Sequence, residues 1–156
     1  MDSKIKLDRE DLSIITSIME DFDNDGLQDI IASSWGLSDP LPYFHNQGDG
    51  RFAEYTSKAG LTGIVGGLNV NQADYDNDGD LDLYTVNREQ ENGFYRNDLN
   101  TTGTFPEIAC ALSIANGEIG HGGSWSDYDN DGDLDLYLAN VGANALYRND
   151  GAEVFQ

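Results

Sequence analysis

Three acidic segments stand 53 residues apart, and no other feature limits so tightly what this chain can fold into. The eleven residues DYDNDGDLDLY occur letter for letter at Asp74 to Tyr84 and at Asp127 to Tyr137, and a looser copy, DFDNDGLQDII, runs from Asp21 to Ile31. The strings downstream recur as well: YFHNQGDGRFAEYTSKAGL (43–61), FYRNDLNTTGTFPEIACAL (94–112) and LYRNDGAEVFQ (146–156). They align Asn46 with Asn97 and Asn149, and Phe52 with Phe105 and Phe155. The repeat is therefore the whole block. It divides the chain into a charged segment (1–12) and three units, 13–64, 65–117 and 118–156, the last lacking the counterpart of AEYTSKAGL.

Each unit reads as a series of short strands. In LDLYLAN (134–140) both alternating sets of residues become apolar after the aspartate, so that strand is expected to lie between two packed layers. Segments of about five residues, parted by Gly, Asn and Asp turns, give roughly four strands per unit. Four-stranded units at this spacing predict an all-β fold of three consecutive propeller-like blades, the last incomplete. Because three blades cannot close the ring of four to eight that propellers form, the array is expected to be open or completed by association. Residues 1–12 are expected to cover the third blade of a neighbouring copy.

By position in the acidic segment, carboxylates fall at 1, 3, 5 and 9: Asp21, Asp23, Asp25 and Asp29, then Asp74, Asp76, Asp78 and Asp82, then Asp127, Asp129, Asp131 and Asp135. Gly26, Gly79 and Gly132 sit at position 6, where a calcium loop turns sharply, and Leu27, Asp80 and Asp133 at position 7 offer a backbone carbonyl. Carboxylates gathered within about 5 Å repel by roughly 3 kcal/mol per pair at an effective dielectric near 20, a cost that a divalent cation removes. An all-oxygen set favours Ca2+ over zinc, which seeks His or Cys, so three calcium sites are expected. A helix-flanked calcium hand is excluded, because Ala32, Thr85 and Leu138 stand where it needs Glu.

The loop followed by LYRNDG and a phenylalanine resembles the FG-GAP or VCBS repeat of integrin alpha-subunit propellers and of secreted proteins related to cartilage acidic protein. The resemblance spans nearly all of 13–156. It implies β-propeller blades with calcium between their first two strands, held by the twelve aspartates, and an extracellular role in adhesion, recognition or scaffolding.

Composition sets limits on partners. Eight basic residues against 29 acidic ones, a net charge of -21, disfavour nucleic acid and anionic membranes as partners. No apolar run approaches the roughly 20 residues of a membrane span. The opening MDSKIKLDRED does not read as a secretory leader, so an extracellular location expects one to have been removed. The lone Cys110 cannot form an internal disulfide.

Other residues are weighed against structural roles. Asn100 in NTT is a glycosylation sequon. His45 takes the slot of Arg96 and Arg148 and reads as a strand-surface residue, while the glycines around His121 suggest close approach of layers. Trp35, Trp125, Tyr137 and Tyr147 could line a sugar-binding surface, but packing between blades explains them more simply. No Ser, Cys or Lys stands in a nucleophile motif, and a catalytic acid pair draws on carboxylates already accounted for by calcium. The expected function is a non-enzymatic, calcium-binding extracellular module that associates with copies of itself, including as a filament. The alternative is an adhesion or recognition module, a fragment of a larger β-propeller, that binds a protein or glycan.

Overall fold

The computed structural model describes residues 14–35, 39–62 and 67–156. Among these residues there are ten strands and no helix. The first sheet is built from β1 (Ile14–Glu20), β2 (Asp29–Ser34), β3 (Tyr43–Asn46) and β4 (Phe52–Glu54). The second contains β5 (Asn69–Ala73), β6 (Asp82–Val86) and β7 (Gly93–Tyr95), and the third β8 (Gly120–Ser126), β9 (Asp135–Asn140) and β10 (Ala145–Tyr147). Neighbours in sequence are neighbours in each sheet and pair antiparallel. Each acidic segment is the turn between the first two strands of its sheet. Among the described residues no helix is long and apolar enough to cross a membrane.

Among the described residues, four strands per unit form only in the first sheet. In the second, the chain after β7 returns alongside it but pairs only through isolated bridges, Tyr95 with Glu107 and Asp98 with Thr104. Pro106 lies between them, and a residue without an N–H interrupts a continuous ladder. In the third, Asn149 bridges Phe155, and Arg148 and Gln156 exchange two backbone hydrogen bonds of 2.9 Å.

The sheets pack in succession, and each core lies between two of them. One cluster joins Phe22, Ile31 and Tyr43 of the first unit to Val70, Leu83 and Phe105 of the second. The other joins Tyr75, Tyr84 and Phe94 of the second to Leu136 and Leu138 of the third. Rings meet edge-on across both contacts, as Phe22 does with Phe105 (centroids 6.4 Å apart) and Tyr84 with Trp125 (6.1 Å). The third sheet approaches the second closely at Gly120, where an added Cβ would lie 2.2 Å from Val86 Cγ1. Its N–H donates to Asn87 O at 3.0 Å. Of the glycines around His121, Gly120 and Gly123 thus mark close approach, as their pattern suggested, whereas Gly122 meets nothing within 4 Å and His121 itself is exposed.

The middle strand is covered on both faces in β6, where every residue is buried, but not in β9, where Tyr137 is exposed. No described sheet follows the third, so its outer side lacks the layer that covers Ile31 and Tyr84 at the same position. The packing expected of four aromatics therefore holds for Trp125 and Tyr147, which lie against the second core, and not for Tyr137 or Trp35. Residues 1–12 and their expected contact with a neighbour fall outside the described residues.

Candidate metal centres in the three acidic loops

The three loops close by the same hydrogen bonds. The position-1 carboxylate accepts from the N–H of positions 5 and 6: Asp21 from Asp25 (3.0 Å) and Gly26 (2.9 Å), Asp74 from Asp78 (3.0 Å) and Gly79 (3.1 Å), Asp127 from Asp131 (3.1 Å) and Gly132 (3.1 Å). The position-5 carboxylate accepts from the N–H of position 7, that of Leu27, Asp80 or Asp133. Two residues in the left-handed region make the turn possible. Position 6 is glycine at φ between 90° and 100°, and position 4 is Asn24, Asn77 or Asn130 at φ 55°, 60° and 64°. Asparagine tolerates this conformation better than most side chains, which accounts for its recurrence.

Closing the turn gathers carboxylates. Asp21, Asp23 and Asp25 come together in the first loop, Asp74, Asp76 and Asp78 in the second, and Asp127, Asp129 and Asp135 in the third, each set with ligand atoms within 4.8 Å of one another. The position-3 acid has its pKa raised in all three. Asp23, Asp76 and Asp129 are pushed above the ordinary carboxylate value first by desolvation and then by neighbouring carboxylates, Asp29 for Asp23, Asp78 for Asp76 and Asp131 for Asp129. Asp76 Oδ1 is enclosed and has no hydrogen-bond partner. An oxygen enclosed without a donor, among charges that repel it, has the environment of a metal ligand; the residues present fit a hard cation.

Position 9 joins such a set through Asp135 in the third loop and beside Asp23 and His45 through Asp29 in the first, but not through Asp82 in the second. Asp29, Asp82 and Asp135 are buried at the start of the second strand, where they fasten the loop to the rest of the sheet. Asp82 accepts from the N–H of Asn97 (2.8 Å) and Tyr75 (3.3 Å), and Asp135 from those of Asn149 and Tyr128 (both 2.9 Å). Asp29 accepts from Asn46 N–H (2.8 Å) and the Tyr43 hydroxyl (2.7 Å). Burial pushes the Asp82 carboxyl up to about 8, against the two backbone N–H bonds that pull it down. At position 7, the Asp80 and Asp133 side chains accept from Asn24 (2.5 Å) and Asn77 (2.9 Å) of the preceding loop.

Three features escape a reading of sequence. His45 is not a bare strand-surface residue: its Nδ1 lies 3.3 Å from Asp23 Oδ2 and 3.2 Å from Asp29 Oδ1, and its ring stacks on Tyr55. It adds a nitrogen donor to the first loop, whereas Arg96 and Arg148 pair with Asp98 and Asp150. Two of the three aligned asparagines are clasps between sheets, Asn97 Nδ2 donating to Phe22 O (2.8 Å) and Asn149 Nδ2 to Tyr75 O (2.9 Å). Their recurrence was visible, but their partners, some 75 residues away, were not. Position 4 likewise signals a turn in sequence but gives no sign of its bond to the next loop. Asn100 of the sequon is exposed in the turn after Asp98, its Nδ2 3.4 Å from Asp80 Oδ1.

No curated protein gives a significant match to this sequence. The FG-GAP-like repeat is found over residues 21–85 and again over 74–138, each match running from one acidic loop into the middle strand of the next sheet. The repeated acidic loop and the strand that follows it thus fall within a known repeat, and the chain belongs to the FG-GAP-like repeat family.

Proposed function

We propose that this chain is a calcium-stabilised structural module of propeller-like blades, working outside the cell and joining to further copies of itself. The observation that carries the metal reading is the enclosed, unpartnered Asp76 Oδ1, set in a hydrogen-bond pattern that recurs in all three loops. In each loop the aspartates at positions 1, 3, 5 and 9 and the carbonyl of Leu27, Asp80 or Asp133 would hold Ca2+, which supplies positive charge where carboxylates repel. Each ion also offsets two of the 21 net negative charges, which lowers the repulsion between copies. Successive packing of similar sheets supports the propeller-like arrangement. An extracellular location is general for FG-GAP repeats and supports a calcium-held module of that compartment. Twelve of the 29 acidic residues occupy the loop positions that would hold the ions, which favours a structural over a catalytic role for them.

Calorimetric titration of the intact chain tests this, with uptake of three calcium ions expected and one fewer for Asp76→Asn. No uptake at millimolar calcium overturns the reading. Sedimentation with and without chelator tests association, which chelation should reverse.

A second reading, a recognition module for a protein or glycan, is favoured by Trp35. The residue is 59% exposed, with the Arg88 guanidinium 5.8 Å from the ring centroid. Binding on a glycan panel that Trp35→Ala abolishes would support this reading over the first.

A further inference from the structure

We propose that the outer face of the third sheet receives the first sheet of a second copy, so that association runs head to tail and repeats the contact the chain makes twice within itself. This rests on the self-association reading and adds which surfaces meet.

In both internal contacts the leading sheet buries three large side chains at fixed positions. They are Phe22, Ile31 and Tyr43 in the first and Tyr75, Tyr84 and Phe94 in the second, none more than 1% exposed. Strand register matches them, since Ile31 pairs with Tyr43, Tyr84 with Phe94 and Tyr137 with Leu146. In the third sheet the equivalent Tyr128, Tyr137 and Leu146 are 50%, 44% and 49% exposed. Large apolar side chains grouped on one face mark an interaction surface.

The internal contact also shows what covers such a face. Over the second sheet lie Trp125, 5.5 Å from Phe94, and Phe155, 6.3 Å from Tyr75, while Asn149 Nδ2 holds Tyr75 O. The first sheet carries a counterpart of each: Met19, Phe52 and Asn46. Met19 is 55% exposed, with Ile15 on the same side of β1. The Asn46 amide already donates to its own sheet at Gln28 O (3.0 Å), as Asn97 does at Leu81 O (3.1 Å). The first and third sheets thus present the two unlike halves of a contact made twice among the described residues, the geometry of a heterologous interface.

One element is missing. Asn24 reaches Asp80 and Asn77 reaches Asp133, but Asn130, the third donor, would meet Leu27 of the next copy. The contact between copies therefore lacks a hydrogen bond to a charged acceptor that both internal contacts have, and it is the weaker for it.

Two charge substitutions at exposed positions test the polarity by sedimentation velocity in calcium, with circular dichroism to verify folding. Met19→Glu blocks the first face and Leu146→Glu the second, and each alone should remain monomeric while the unaltered chain assembles with concentration. Mixed in equal amounts, they should form a one-to-one dimer that grows no further, because one intact face of each kind remains. Leu27→Asp should tighten assembly about tenfold. Assembly of either variant like the unaltered chain, or a mixture that stays monomeric while the unaltered chain assembles, overturns the head-to-tail contact and leaves self-association standing. An unaltered chain that stays monomeric in calcium overturns both.

Discussion

The segments 74–84 and 127–137 have identical sequences and unlike surroundings. Their loops close with the same bonds, and both place a position-9 aspartate against two backbone N–H groups. Yet Tyr75 and Tyr84 are buried, and Tyr128 and Tyr137 are half exposed. Local sequence fixes the turn in both, whereas burial belongs to whichever sheet lies alongside. A repeat of this kind draws stability from its neighbours as much as from itself.

The largest effect tests what the two segments share. With calcium at a hundredfold its Kd, each occupied site adds about 2.7 kcal/mol, so chelation from three sites should lower unfolding free energy by about 8 kcal/mol, measured by denaturant titration. The next tests where they differ. Tyr84→Ala removes a buried ring and should cost about 3 to 5 kcal/mol, while Tyr137→Ala in the monomer should cost less than about 1 kcal/mol. Equal losses would mean the third sheet is covered after all.

A smaller effect concerns Asp82. Its folded pKa lies above the unfolded value, so the ionised form opposes folding; this cost is largest at alkaline pH and fades as pH falls toward the unfolded pKa. The chelated protein should therefore gain about 2 kcal/mol between pH 8 and pH 6, and calcium should reverse the trend because protons then compete with the ion. Thermal melts at both pH values, repeated on Asp82→Asn, measure it. The smallest effect compares clasps. Asn149→Ala strands Tyr75 O and should cost about 1 to 2 kcal/mol, and Asn46→Ala, whose amide reaches only its own sheet at an exposed position, less than about 0.5 kcal/mol.

Much of this fold is written locally and can be read there. The period, the glycine at position 6, the alternation of carboxylates and the strand that follows each loop all depend on residues within a dozen positions of one another. What depends on distant residues was not legible. Nothing in DYDNDGDLDLY distinguishes the copy that is covered from the copy that is not. The fourth strand of the second unit gave way to Pro106, and His45 turned toward Asp23 although its slot in the repeat holds arginine elsewhere. Trp35 looked like packing because aromatics usually are, and its exposure depends on where the first sheet ends.

The position-1 aspartates have a consequence for kinetics and signalling. Asp21, Asp74 and Asp127 each commit both oxygens to backbone N–H groups, so the turn has its shape from its own bonds. On the calcium reading proposed above, little chain entropy would be left to lose when an ion arrives, and stripping water rather than ordering the loop would set the rate of capture. A loop whose outline is already drawn has little movement with which to announce occupancy. It suits a rivet that steadies neighbouring sheets better than a sensor that reports calcium.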